Sequence, residues 1–64
     1  MKLYYELKID SQTGVENYAI KNNPQDYDTI AFISKSLIDK FYDGDIKRCI
    51  KDNYDVEYKD IIEI

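Results

Sequence analysis

Leu3, Tyr5, Leu7 and Ile9 alternate with Tyr4, Glu6 and Lys8, and this strict two-residue period constrains the fold more than any other feature of the chain. It places four apolar side chains on one side of an extended segment and the polar ones, with Tyr4, on the other. The turn-forming run Asp10-Ser11-Gln12-Thr13-Gly14 comes next, and a second extended segment covers 15–21. With Asp10 opposite Val15, Leu7 faces Tyr18, Tyr5 faces Ile20, Glu6 faces Ala19 and Lys8 faces Asn17. This register gives one apolar and one mostly polar face, whereas a slip of one residue would mix them. The loop is then 11–14, with Gly14 at the left-handed position that a four-residue hairpin loop often requires.

A lone hairpin is marginal in water, so the rest of the chain must cover its apolar face. Asn22-Asn23-Pro24-Gln25-Asp26 predicts a helix start, with Asn23 as cap, Pro24 at the first helical position, and Asp26 and Asp28 near the positive end of the helix dipole. The helix is expected to reach 42 or 43 and stop at Gly44. Tyr27, Ile30, Ala31, Ile33, Leu37, Ile38, Phe41 and Tyr42 then share one half of the helical wheel. Asp45 caps a second helix from 46 to about 53, with Ile46, Cys49 and Ile50 inward and Lys47, Arg48 and Lys51 outward. Residues 55–63 read as a third strand with Val56, Tyr58, Ile62 and Ile64 on one side. Asp60 and Ile61 break that alternation and suggest a bulge or an edge position.

The expected fold is one small α+β domain over 1–64, in the order ββααβ. Its three-stranded mixed sheet, order 2-1-3, has the last strand parallel to the first and is packed by one long and one short helix. The element order resembles a reduced β-grasp, as in ubiquitin-like domains, and a likeness of topology carries no function with it.

Composition narrows the chemistry. The chain has no histidine and a single cysteine, Cys49, so an intramolecular disulfide, a structural zinc quartet, an imidazole base and a Cys-His or Ser-His-Asp arrangement are all closed to it. Neither a catalytic residue nor a cofactor or metal is expected. Asp43-Gly44-Asp45 reads as the end of one helix and the cap of the next, because a calcium loop begun at Asp43 would place Tyr54 where a glutamate is needed. Cys49 reads as a small buried hydrophobe. With no apolar run near the roughly 18 residues of a membrane span, and with a free thiol, a cytoplasmic location is expected.

Charge is unevenly spread over a net of -4. Residues 26–45 carry five aspartates against two lysines, and residues 52–64 carry five acids against Lys59 alone. Lys47, Arg48 and Lys51 lie between these blocks, where pairing with Asp43, Asp52 or Asp55 is favoured over direct nucleic-acid binding.

Phe32 is the large apolar residue that departs from the helical pattern. On the wheel it falls within the polar arc of Asp28, Lys35, Ser36, Asp39 and Asp43, so it is either a partly covered surface aromatic or an anchor for a partner. In the second reading Asp28, Phe32, Ser36, Asp39 and Asp43 form a ridge whose carboxylates take positions that phosphates occupy in a nucleic-acid groove. Tyr4 and Tyr54 offer a second contact surface, or simply suit a half-exposed sheet. The function expected is a non-enzymatic acidic protein-binding module: a phage or mobile-element inhibitor, of anti-CRISPR or other anti-defence kind, that mimics DNA. Its partner would be a host enzyme with a basic nucleic-acid-binding surface. The alternatives are an assembly protein acting through homo-oligomerisation, such as a homodimer, and a small nuclease or toxin using Lys47, Arg48 and a tyrosine.

Overall fold

The hairpin forms in the predicted register. In the computed structural model, which describes residues 2–25 and 29–64, β1 (Leu3–Ile9) and β2 (Glu16–Lys21) run antiparallel, with Tyr5 opposite Ile20 and Leu7 opposite Tyr18. Asp10 organises the turn: its carboxylate accepts the backbone N–H groups of Gln12 and Thr13 at 2.7 and 3.2 Å. Its backbone carbonyl accepts from Gly14 at 2.8 Å, and Gly14 has the expected left-handed φ of 74°. The Tyr5 and Tyr18 rings meet edge to face across the pair, 6.1 Å between centroids.

The long helix predicted from residue 24 to 42 does not form. Asn23 accepts the Gln25 N–H at 2.9 Å in a local turn instead of capping a helix. Ala31–Ser34 is a strand, β3, paired antiparallel with β2 through Tyr18 opposite Ile33 and Ala19 opposite Phe32. Of the described residues in this segment, Lys35–Phe41 are helical, as α1. The run Ile30-Ala31-Phe32-Ile33 favours an extended chain, since its β-branched and aromatic side chains fit a pleated surface. Ala31 and Ile33 point inward and Phe32 outward, so the residue that broke the helical pattern was obeying a period of two.

The sheet therefore has four strands in the order β3-β2-β1-β4, in place of the three expected, and the chain is βββααβ. The added β3 corrects the 2-1-3 order and takes the fold away from the reduced β-grasp arrangement. The parallel pairing of the last strand with the first is present: Leu3 lies opposite Ile61 and Tyr4 opposite Ile62. That strand, β4, is only Ile61–Glu63, because a 3-10 turn at Tyr58–Asp60 precedes it where strand was expected. The turn resets the phase, which explains the broken alternation at Asp60 and Ile61. Ile61 becomes buried, while Ile62 joins Tyr4 on the opposite face.

α2 (Ile46–Tyr54) matches its expectation closely. The Asp45 side chain accepts the Arg48 N–H at 3.2 Å, and Ile46, Cys49 and Ile50 are buried. Between the helices Asp43 and Gly44 both adopt left-handed backbone, with φ of 53° and 83°, so the Gly44 N–H returns to the Ile38 carbonyl at 3.0 Å. Both helices lie on one side of the sheet. There Leu3, Tyr5, Ile20 and Ile61 pack with Ile38, Ile46, Cys49, Ile50 and Val56 in a single core.

Candidate protein-binding surfaces

A seven-residue α1 covers less of the sheet than the long helix the sequence suggested. Ile38 is its one buried residue, and the apolar positions around it remain open: Leu37 is 50% exposed and Phe41 63%. On the strands the same shortfall leaves Leu7 at 40% and Ile9 at 62%, although both continue the inward stripe of Leu3 and Tyr5. Leu7, Tyr18 and Ile33 form one row across three strands, and that row leads into a hollow of about 550 Å³. Ile33, Leu37, Phe41, Tyr42, Cys49 and Tyr54 line the hollow, along with Ile38 and Asn53. Leu7, Ile9, Leu37 and Phe41 carry the spacing of the inward stripes, since a stripe that faces a partner and one that faces the core have the same period.

Polar detail around the hollow is sparse. Asn53 donates to the Cys49 carbonyl at 2.7 Å, and burial pushes the Cys49 thiol pKa up, which keeps it protonated and unreactive. Lys40 stands 5.4 Å from the centre of the Phe41 ring, and Arg48 lies 5.7 Å from that of Tyr42. None of the ion pairs among the described residues involves Lys47, Arg48 or Lys51.

The residues expected to form one ridge are dispersed. Asp28 lies outside the described residues. Phe32, 64% exposed, sits on the outer sheet face in a row with Ala19 and Glu6, away from α1. Tyr4 shares that outer face, half-buried between Ile62 and Lys21, while Glu6 bridges Lys8 at 3.3 Å and Lys21 at 3.6 Å. Ser36 Oγ lies 2.8 Å from Ser34 Oγ at the start of α1, and Asp39 is paired with Lys35 at 2.8 Å. That contact raises the Lys35 pKa through its hydrogen bond to Asp39. Asp43 is in the left-handed turn after α1, and Tyr54 ends α2 at the hollow on the far side of the sheet from Phe32. Tyr4 and Phe32 thus share the outer sheet face on strands separated by β2, Asp39 and Asp43 lie on α1 and in the turn after it, and Tyr54 is apart from both groups.

Asp43, Gly44 and Asp45 serve as helix end and helix cap, and among the described residues no three potential metal ligands cluster. A polar cleft of about 320 Å³ between the hairpin loop and α1, lined by Gly14, Glu16, Ser34, Lys35 and Asp39 among others, has an acid and a base but no nucleophile paired with a base. No described helix is long and apolar enough to cross a membrane. No family model, curated protein or solved structure matches the chain.

Proposed function

We propose that this chain is a non-enzymatic protein-binding module whose main contact surface is the apolar face on the helix side of the sheet. The observation that carries this reading is the set of exposed apolar residues Leu7, Ile9, Leu37 and Phe41, of which Leu37 and Phe41 line the hollow between the helices. Single exposed apolar residues are ordinary on soluble proteins, but a contiguous patch with a concave centre and aromatic lining is the form of an interaction site. Affinity purification of the wild type beside the Leu37→Ser/Phe41→Ser double variant tests it. Proteins retained by the wild type should be lost from a variant whose circular dichroism is unchanged; retention of the same proteins by both would sink the reading.

A narrower reading, an inhibitor that occupies the basic surface of a nucleic-acid-binding enzyme, is favoured by the turn between α1 and α2. Asp39, on α1 and paired with Lys35, has its carboxylate beside Gly44, while Asp43 and Asp45 belong to the turn, where Asp43 and Gly44 are left-handed and Asp45 caps α2. Carboxylates at this end of the molecule attract a basic site and exchange charge-assisted hydrogen bonds with it. Binding of this kind weakens with added salt and with Asp39→Asn/Asp43→Asn. Binding that is indifferent to both leaves only the apolar face as the contact.

A further inference from the structure

Resting on the reading of the helix-side face as a binding surface, we infer that its occupant is an acidic amphipathic helix of another protein. The position of the hollow is the first argument. α1 packs against β2 and β3, whereas α2 packs against β4 and the 3-10 turn before it, and the hollow of about 550 Å³ opens between the two helices. Leu37 and Phe41 stand on one side of it, and Cys49, Asn53 and Tyr54 on the other. An amphipathic helix that lays its apolar stripe into such a groove does so through anchors at i, i+3 or i+4, and i+7. At 1.5 Å per residue α1 is about 10 Å long and α2 about 13 Å, which matches the span of two or three such anchors.

Charge decides the sign of that partner. The ion pairs among the described residues take up Lys8, Lys21, Lys35 and Lys59, and none involves Lys40 on α1 or Lys47, Arg48 and Lys51 on α2. Lys40 and Arg48 stand over the Phe41 and Tyr42 rings, and both rings line the hollow. Residues 35–54 hold five cations against four carboxylates, a net of +1 in a chain of net -4, so the other residues together carry -5. Of those four carboxylates, Asp39 is paired with Lys35 and Asp45 accepts the Arg48 N–H as the cap of α2. Asp43 and Asp52 are left to oppose Lys40, Lys47, Arg48 and Lys51. The helical segment is thus cationic within an otherwise acidic chain. Carboxylates flanking the anchors of an incoming helix gain charge-assisted hydrogen bonds there, whereas a basic helix meets like charge.

Titration of the isotope-labelled protein with three synthetic helical peptides, followed by NMR chemical shifts, tests the inference. The first carries leucine and phenylalanine anchors at i, i+4 and i+7 among glutamates, the second the same anchors among lysines, and the third alanine at the anchor positions among glutamates. The first should saturate at one peptide per chain and shift the Leu37 methyls and the Phe41, Cys49 and Tyr54 signals. At low salt it should bind at least about 10-fold more tightly than either of the others. Lys40→Gln/Arg48→Gln should weaken the first peptide by about 3- to 10-fold and leave the lysine peptide no weaker. Absence of saturable binding by the first peptide at these residues overturns the inference, and so do shifts confined to Phe32 and Tyr4. A lysine peptide that binds as well, an alanine peptide that binds as well, or a double variant that binds the first peptide as the wild type does would each overturn it too. Where it fails and another protein is still retained through Leu37 and Phe41 in affinity purification, the acidic helix alone is rejected and the binding-module reading stands.

Discussion

Phe32 and Ala19 occupy one row of the outer sheet face, yet Ala19 is completely buried and Phe32 is 64% exposed. The Phe32 ring, unlike the Ala19 methyl, keeps most of its surface in solvent. Phe32→Ala should therefore cost less than about 1 kcal/mol in urea unfolding, the usual scale for a surface position. A loss above about 2 kcal/mol would show the ring to be core instead. Tyr5 differs: it is 6% exposed, and burial, followed by the nearby Glu63, raises its phenol pKa above the ordinary value. The folded state thus holds that proton more tightly than the unfolded chain does. The associated stability is fully present below about pH 10 and is lost as pH rises through the higher folded value. Tyr5→Phe should flatten the alkaline limb of the stability profile; an unaltered limb would assign it to other groups. Cys49, with its raised thiol pKa and 4% exposure, should react with a thiol reagent far more slowly in the native protein than in denaturant.

Among the elements, those specified by neighbours in sequence were legible and those specified across the fold were not. The β1–β2 register follows from two alternating stripes and one turn, and α2 from Asp45 and three apolar residues at helical spacing; both are present as read. β3 was hidden because Ile33, Leu37, Ile38 and Phe41 suit a helical face as well, and only β2 supplies the backbone partners that make 31–34 extended. Phe32 and the Asp60-Ile61 pair were the visible signs, since each broke the period of the wrong element. α1 is too short to persist alone and depends on packing. Ile38→Ala should accordingly destabilise the domain by about 2–5 kcal/mol, measured by denaturant unfolding. Asp55 ends α2 in left-handed backbone with φ of 54°. Asp55→Gly should raise stability by about 1 kcal/mol by relieving that conformation, and a fall would mean that the carboxylate itself holds the helix end.

For the whole molecule, the candidate ridge dissolved because it was drawn on a helix that begins only at Lys35. Of its members, Phe32 lies on the outer sheet face, Ser36 and Asp39 on α1 and Asp43 in the turn after it, while Asp28 lies outside the described residues. The surface that replaced it could not be read from the pattern, because Leu7, Ile9, Leu37 and Phe41 are spaced as core residues. Whether they are covered depends on how much of the sheet the helices span. If an acidic helix completes that cover, the midpoint of thermal unfolding should rise with the concentration of the anchored glutamate peptide, because only the folded chain binds it. A midpoint that stays constant over the same range would leave the face without that partner.

The chemistry closed to this chain was decided by sequence alone: without histidine, and with one thiol, several catalytic and metal-binding arrangements have no side chains to build them. So were the hairpin register, the Asp45 cap and the apolar face of α2, because turn chemistry and periodicity act over a few residues. Tertiary structure decided the rest. The choice between strand and helix at 31–34 turns on a backbone partner distant in sequence, and the division of one apolar pattern into core and open face turns on where two short helices run out.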